Sequence, residues 1–438
     1  MRFSSFSRRR LSASIFMTCL SIIVLLSACG TTTSTSSSAS SVVQITYWAG
    51  HASGALHKAV IAEVQQFNQS HPTIHVTFQD TGASTHGLAA YEAGQAPNIA
   101  MVSSFVLDQL IQANAILNLK PFIDGKDGLS SSQIQSLYYP AVWEDMKSSN
   151  GQRYLMPLEK KSLMVIYYNE NLFKQAGIIS PPTTWAEVGQ DAQKITALGS
   201  QYHGIAWTPA MRQLFDLTIA DGGQVYATQT DRRAFDLNNA GANEALTTMR
   251  SWVASKAMIL TSGYQYQLDF GTGNVGMLLD ASAGYTYDKG SVGGKFVMGG
   301  IPDPAGSSGH SSQEINGASL VLFDNGTAQQ KQAAWTFMKW LSSPSTNVYW
   351  NEHTNYLPLG PQEYSQMQSY YQQHPAQAAT YSDPSQWWYK PRTSTYQAAS
   401  TAMLSIFQKA LNGQISVTDA LQQMTTVGTG YLSGKTRA

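Results

Sequence analysis

The chain has 438 residues, which is long enough to bury two ordinary hydrophobic cores, so we expect two domains. Only 12% of the residues are charged, and 27 basic residues balance 27 acidic ones. This composition excludes the strongly basic surface that binds nucleic acid without sequence preference. It suits an extracytoplasmic protein with many neutral hydrogen-bonding groups.

The first 28 residues have the composition of a signal peptide. Four arginines precede the apolar segment 11–26, which is shorter than the roughly 20 residues of a membrane-spanning helix. The segment ends in Leu26-Ser-Ala-Cys29-Gly30, the pattern of small residues before the Cys that bacterial lipoproteins acylate. A plain signal peptide or a short buried helix is the alternative. We expect residues 1–28 to be removed and Cys29 to carry a lipid at the outer face of the cell membrane.

Removal of the signal would change the charge and the thiol content. It takes four of the 27 basic residues and leaves 23 against 27 acidic ones, a net charge near −4. Cys19 leaves as well, so no disulfide is expected. The Ser- and Thr-rich remainder of residues 29–41 reads as a flexible tether. The sequence holds no second apolar run that could span a membrane, so we expect a soluble, lipid-anchored body.

From residue 43 onward, strand-like and helix-like segments alternate. Alternating or continuous apolar residues predict strands at 43–48, 74–78, 99–102, 163–168, 204–207, 276–280 and 318–323. Helical spacing appears in 56–67, 243–252 and 331–341, and Thr184 with Glu187 forms a capping box. This order predicts an α/β fold with parallel-rich, helix-covered sheets.

The segment 154–177 is expected to cross between the two domains. An extended piece leads through Glu159, Lys160 and Lys161 into an apolar strand, which must be covered on both faces. We assign 42–158 and 298–342 to the first lobe, and 159–297 and 343–438 to the second.

Motifs for cofactor and metal chemistry are absent or in the wrong context. Gly271-Thr-Gly273-Asn-Val-Gly276 matches the dinucleotide pattern, but a strand follows it where that motif requires a helix. His71 and His75 lie on a loop and a strand, and no HExxH or CxxC occurs. We therefore expect no cofactor, no metal and no catalysis.

Several residue types at predicted strand ends favour ligand binding. The candidates comprise aromatic rings that can face a ligand, small polar residues at strand ends, a glycine that allows close approach of the backbone, and cations that can bind an anion. They are Trp48, Ser104, Lys160, Lys161, Ser162, Trp207, Ser282, Gly317, Tyr356 and Arg392. Taken singly, each aromatic is more often a core or surface packing residue, and the lysines and Arg392 could be ordinary solvated surface.

Over residues 42–431 the sequence resembles the extracellular solute-binding proteins of bacterial carbohydrate ABC importers. The matching segments are 47–48, 67–68, 94–99, 168–169, 173–177, 182–185, 317–320, 334–344 and 356–358. Within that family it is most similar to the glycerol-3-phosphate-binding type. The resemblance implies a periplasmic-binding-protein-like fold, with two lobes joined by several crossings and a ligand between them. It implies a monomer that passes a sugar or glycerophosphate compound to the transmembrane subunits of an ABC permease.

For the glycerol-phosphate type, the resemblance implies ligand contacts at Ser162, Trp207, Ser282, Gly317, Tyr356 and Arg392, with Arg392 suited to phosphate. The chain departs from that type at two points. Ser104 stands where the type carries a Glu, and the segment 81–85 lacks its tyrosine. A neutral oligosaccharide is therefore an alternative ligand. A secreted carbohydrate-active enzyme and a surface adhesion lipoprotein are the alternative functions.

Overall fold

The structure is a computed structural model that describes residues 41–51, 54–158, 162–228 and 232–436. Strands and helices alternate through most of the chain. The strands are β1 Val43–Trp48, β2 Ile74–Gln79, β3 Ile99–Val102, β4 Met156–Pro157, β5 Met164–Asn169, β6 His203–Trp207, β7 Met258–Leu260, β8 Val275–Ala281, β9 Met298–Pro302, β10 Gln313–Glu314, β11 Ser319–Leu322 and β12 Trp387–Trp388.

The helices cover the faces of the sheets and join their strands. They are α1 Gly54–Ser70, α2 Ala83–Glu92, α3 Leu107–Gln112, α4 Lys120–Ile123, α5 Ser131–Leu137, α6 Pro140–Glu144, α7 Glu170–Gln175, α8 Trp185–Thr196, α9 Met211–Ala220, α10 Ala240–Ala254, α11 Gln265–Gly271, α12 Tyr285–Val292, α13 Ala328–Leu341, α14 Pro344–Thr354, α15 Pro361–Gln366, α16 Gln368–Gln373, α17 Pro375–Ala378, α18 Ser394–Leu411 and α19 Val417–Leu432. No helix in the described ranges has both the length and the apolarity to cross a membrane.

Two five-stranded sheets form the framework. The first has the order β2-β1-β3-β11-β4, in which β1, β2 and β3 are parallel and β11 runs antiparallel to both neighbours. The second has the order β7-β6-β8-β5-β9, in which β6, β7 and β8 are parallel and β5 is antiparallel to β8 and β9. Short strands β10 and β12 pair beside them. The predicted α/β fold with parallel-rich sheets is confirmed.

Both sheets are covered on both faces, as the apolar strands predicted. In β11, Leu320 and Leu322 join one hydrophobic cluster, whereas Val321 joins the cluster on the opposite face. In β5, Ile166 and Val165 divide in the same way. Because successive side chains of a strand point to opposite faces, a continuous apolar run is needed where both faces are buried.

The register places the loops after the parallel strands at one edge of each sheet. In the first sheet, Val102 pairs with Ser319, which pairs with Pro157, so the ends of β3 and β4 and the start of β11 share an edge. In the second sheet, Met164 pairs with Ala281, so the start of β5 lies beside the end of β8. We call these the carboxyl edges. The chain leaves the first sheet after β4 and enters the second at β5, and it passes between the sheets again after Pro302.

Two segments pack differently from the sequence assignment. From the sequence, 298–302 was assigned to the first lobe, but β9 pairs with β5 along its length and so belongs to the second sheet. The segment 344–359 was assigned to the second lobe, but Trp350, Leu357 and Leu359 lie in the core of the first sheet. Strand pairing and burial decide these cases, and neither is visible in local composition. The other lobe boundaries stay a prediction.

Candidate functional site

A hydrogen-bonded junction joins the two carboxyl edges. Ser162 and Asn316 exchange backbone hydrogen bonds: the Ser162 N–H donates to the Asn316 carbonyl at 2.9 Å, and the Asn316 N–H donates to the Ser162 carbonyl at 3.0 Å. From α9, the Arg212 guanidinium donates to the Ser162 carbonyl at 3.4 Å and to the Glu314 carbonyl. Ser162 thus lies where the chain enters the second sheet, beside Asn316, from which the chain leads back into the first sheet.

Gly317 and Lys390 lie at the same junction. The Gly317 N–H is 2.9 Å from Asn316 Oδ1, and Lys390 Nζ lies 3.3 Å from that same oxygen and 3.1 Å from Glu314 Oε1. Gly317 has φ of 131° and is exposed, a conformation that favours glycine. A side chain at this position would strain the backbone. Because glycine has none, the backbone is open to a ligand.

Ser282 is buried beside the junction and forms hydrogen bonds with three neighbouring residues. Its Oγ accepts from the Leu163 N–H at 3.4 Å, and its carbonyl accepts from the Tyr167 hydroxyl at 3.0 Å and from Asn355 Nδ2 at 2.7 Å. Burial raises the pKa of Tyr167 well above its usual value of 10, so this hydroxyl remains a donor. Ser282 is fully buried. Its hydrogen bonds orient neighbouring segments.

Tyr356 follows Asn355 directly and is half-buried, with its ring centroid 6.0 Å from that of Trp350. The structure therefore brings four predicted residues, Ser162, Ser282, Gly317 and Tyr356, into one hydrogen-bonded region. The sequence separates them widely, and only the pairing of the two edges collects them. Contact of Ser162, Gly317 and Tyr356 with a ligand stays a prediction. Ser282 is fully buried, so we correct its predicted contact and assign it to support of the site.

Arg392 lines a cavity of about 580 Å³ next to the junction. Its guanidinium forms a buried ion pair with Asp145, the residue that directly follows α6. The cavity has one acidic and five basic side chains in its wall, namely Glu144, Lys147, Arg232, Arg233, Lys390 and Arg392. Sequence reasoning selected Arg392 but missed Asp145, because no local pattern links two residues so distant in the chain.

A second cavity, of about 760 Å³, has only neutral side chains in its wall. It lies between the start of α2 and the segment 105–109 on one side and α18 on the other. At its margin, the Ser394 N–H and hydroxyl donate to Asp108 Oδ2 at 3.1 and 2.8 Å. Hydroxyl, amide and aromatic groups line it: Ser84, Thr85, Phe105, Gln109, Ser394, Gln397, Thr401 and Tyr431.

Trp48 and Ser104 lie at the carboxyl edge of the first sheet, where the sequence predicted them. Trp48 is half-buried and donates from Nε1 to the Gln79 side chain. Ser104 is half-buried and opens a short helical turn, Ser104–Val106. Lys160, Lys161 and Cys29 lie outside the described residues, so their predicted roles stay predictions.

Trp207 does not face the space between the sheets. Its side chain is 1% exposed and packs in the core of the second sheet, with its ring edge-on to Phe407 of α18 at 6.0 Å. The strand end was correctly predicted, but the side of the strand was not. We therefore correct the sequence interpretation and assign Trp207 to packing.

Two buried carboxyl groups beside the junction, those of Asp216 and Asp303, were not singled out from the sequence. Asp216 Oδ1 accepts from Trp388 Nε1 at 2.7 Å and from the Glu314 N–H at 2.8 Å, and Asp303 follows β9 directly. Burial raises the pKa of Asp216 and raises that of Asp303 to about 7, although Arg212 opposes both shifts. An uncharged carboxyl is thus favoured where the chain returns between the sheets. Among the described residues, no group of three or more His, Cys, Asp or Glu side chains could hold a metal ion.

The sequence and the fold match known proteins over most of the chain. Residues 51–348 match the family model for the bacterial extracellular solute-binding protein. The sn-glycerol-3-phosphate-binding periplasmic protein UgpB of Yersinia pestis is 25% identical over 359 residues, covering 77% of this chain and 79% of that protein.

Solved structures show the same fold. The cyclic alpha-maltosyl-1,6-maltose binding protein of Arthrobacter globiformis has a TM-score of 0.77 at 20% identity, covering 90% of this chain and 99% of that one. UgpB of Mycobacterium tuberculosis in complex with glycerophosphocholine has a TM-score of 0.73 at 16% identity, also covering 90% and 99%. The two-lobed fold implied by the resemblance is confirmed.

Proposed function

The chain belongs to the bacterial extracellular solute-binding proteins, and we propose that it captures a hydroxyl-bearing solute between its two lobes and delivers it to an ABC permease. The observation that carries the proposal is the meeting of the two carboxyl edges at the Ser162–Asn316 junction. In open α/β sheets, ligands bind outside the carboxyl ends of the strands. Two such edges joined by chain crossings form a site that can close by hinge motion.

The solute we propose is a carbohydrate or a glycerophosphate compound. Ser104, Ser162, Gly317, Tyr356 and Arg392 are the described residues that we propose as contacts. A half-buried tyrosine ring can lie against the C–H face of a sugar, and serine hydroxyls and an open backbone can bind its hydroxyls. Trp48 lies at the first carboxyl edge and is proposed as a further aromatic contact. The lysines at 160 and 161 are proposed as the polar rim.

Recognition of this kind requires no bond making. Micromolar affinity corresponds to about −8 kcal/mol, within reach of an aromatic contact, several buried hydrogen bonds and the exclusion of water on closure. We propose that the protein is a binding protein, not an enzyme. We also propose that it acts as a monomer tethered through lipid on Cys29, a position in which a captured solute stays near the membrane.

A thermal-shift screen of the body from residue 42 onward tests the proposal. The panel comprises glycerol-3-phosphate, glycerophosphocholine, maltose and longer neutral oligosaccharides. At 100 times Kd, a ligand specific for the folded state stabilises it by about 2.7 kcal/mol, so a rise of several degrees is expected with at least one solute. No shift with any solute would favour an adhesion protein, and turnover of a bound saccharide would favour an enzyme.

A further inference from the structure

The charge of Arg392 is already compensated inside the protein. Its guanidinium pairs with Asp145, and the two side chains are 6% and 5% exposed. Asp145 directly follows α6, whose Val142 lies in the core of the first sheet, whereas Arg392 precedes α18, which packs on the second sheet. The ion pair therefore spans the two halves of the molecule at the wall of the cavity.

The pair with Asp145 does not satisfy every donor of Arg392. Its Nε–H is buried and has no hydrogen-bond partner in the described part of the chain. Buried donors are nearly always satisfied, and an unsatisfied one is costly. A neutral hydroxyl or ether oxygen could accept this hydrogen bond. A phosphate would have to share the guanidinium with the Asp145 carboxylate and would be repelled by it.

The other cations at this cavity also have acceptors or rings beside them. Lys147 Nζ lies 2.5 Å from Glu144, and Lys390 Nζ lies 3.1 Å from Glu314. Arg232 donates to the Tyr389 carbonyl and lies over that ring at 4.2 Å. Arg233 is exposed, so water and salt screen its charge.

Arg153, close enough to Arg392 to be affected by its charge, lies over the Trp143 ring at 3.8 Å. Burial, with a smaller contribution from Arg392, lowers its pKa to about 10, so it remains charged at neutral pH. The abundance of basic residues therefore does not by itself make an anion receptor.

We infer that Asp145 is a specificity-determining residue that withdraws Arg392 from anion binding, so that the site selects a neutral hydroxylated solute over a phosphorylated one. The inference rests on the proposed function and names the substrate class of its site. It assigns to Arg392 a neutral hydrogen bond in place of the phosphate contact that the sequence resemblance implies.

Titration calorimetry of glycerol-3-phosphate into the wild-type body and its Asp145→Asn variant tests the inference. Asparagine keeps the shape of the side chain and removes its charge, so affinity for glycerol-3-phosphate should rise about tenfold or more. Equal or weaker binding by a folded Asp145→Asn variant overturns the inference. Glu144→Gln is the matched control, because it removes the neighbouring carboxylate and leaves the Arg392–Asp145 pair; an equal gain there would also overturn it.

A measurement on the wild-type chain keeps the inference testable if Asp145→Asn does not fold. The neutral saccharides should bind about tenfold or more tightly than glycerol-3-phosphate and glycerophosphocholine. Tighter binding of a phosphorylated solute by the wild type overturns the inference but supports the proposed function. A gain of glycerol-3-phosphate binding in Asp145→Asn, with no solute bound by the wild type, supports the inference and counts against the proposed function.

Discussion

At the residue scale, an aromatic side chain at a strand end can serve either recognition or packing, and burial distinguishes the two. Trp48 and Trp207 each end a parallel strand, β1 and β6. Trp48 is half-buried at the carboxyl edge, whereas Trp207 is closed into the core and contacts Phe407. Equivalent positions in the two sheets thus have different physical roles.

This difference predicts unequal effects on stability. Trp207→Ala should lower the free energy of unfolding by about 3–5 kcal/mol, because it removes a large buried side chain and leaves a cavity. Trp48→Ala, the matched control, should cost clearly less. Urea titration of both variants without ligand measures the difference. A Trp207→Ala variant as stable as the wild type would return Trp207 to the candidate ligand contacts.

Sequence reasoning at this scale identified residue types but not their partners. Ser282 was selected as a residue near the C-terminal end of a strand, and it follows β8 directly. Ser162 was selected for the same reason, but it precedes the start of β5. Gly317 lies just before β11, as predicted. Asp145 could not be linked to Arg392, nor Asn355 to Ser282, because each pair is made by tertiary folding. A charge in a sequence carries no information about what neutralises it.

At the scale of elements, β6 packs very closely on α8. A Cβ built on Gly204 of β6 would lie 2.4 Å from the Cα and carbonyl oxygen of Ala192 on α8. These are backbone atoms, so the helix could relieve the contact only by moving away from the sheet. Glycine is required here because the strand and the helix lie so close together. The backbone conformation does not require it, since Gly204 lies within a regular strand.

Gly204→Ala should therefore destabilise the protein by about 1–3 kcal/mol, the usual cost of overpacking a core. Gly290→Ala is the control, because a Cβ on Gly290 of α12 meets no atom within 4 Å. That change should be neutral or stabilise by up to about 1 kcal/mol, since alanine loses less backbone freedom in a helix. Thermal unfolding of both variants compares them, and equal melting temperatures would contradict the close packing.

Elements with strong periodicity were predictable, and the shortest ones were not. The predicted strands at 43–48 and 99–102 agree with β1 and β3, and the predicted helix at 331–341 lies within α13. The two-residue strands β10 and β12 have no sequence signal, since two residues cannot show a period. Strand β9 was placed in the wrong lobe, because its partner β5, not its own composition, determines its sheet.

At the scale of the whole molecule, the segment that leads from the second sheet back to the first begins with a buried carboxyl group, that of Asp303. Asp303 is 2% exposed, and burial raises its pKa to about 7 from an ordinary 3.8. Between those values the folded protein holds a proton that the unfolded chain has lost. The folded state thus binds more protons, and its contribution to stability falls as pH rises from about 4 to about 7.

Asp303→Asn removes this titration and keeps a neutral side chain of the same size. The variant should match the wild type at about pH 4.5 and become more stable than it by about 1–3 kcal/mol at about pH 8. Urea titrations at the two pH values measure how the difference in free energy of unfolding between the variant and the wild type changes. Asp124→Asn, on the exposed surface, is the control, and a wild-type advantage that grows with pH would contradict the assignment.

A contact between α3 and α18 lies far from the crossings and bears on the closure that we propose. Asp108 of α3 accepts two hydrogen bonds from Ser394 at the start of α18, and α18 is fixed to the second sheet through Tyr396, Met403 and Phe407. If the crossings act as hinges, this contact stabilises the closed arrangement and is lost in an open one. A solute that binds between the lobes would shift the same equilibrium.

Two spin labels can follow this equilibrium directly. The sequence has Cys only at positions 19 and 29, so cysteines introduced at exposed Gln66 of α1 and Gln190 of α8 are the only thiols in the body from residue 42. In the unliganded protein, Asp108→Ala should broaden the distance distribution and move it by several ångströms, because charge-assisted hydrogen bonds at the closed contact are gone.

A bound solute from the screen should restore the narrow distribution in the variant. The variant should bind that solute more weakly than the wild type does, because a smaller fraction of the unliganded variant is closed. Asp124→Ala, which removes a carboxylate away from α18, should leave the distribution unchanged. Identical distributions for the wild type and Asp108→Ala, with and without solute, would show that α3 and α18 do not control closure. The wild-type distances would then reflect the stiffness of the crossings alone.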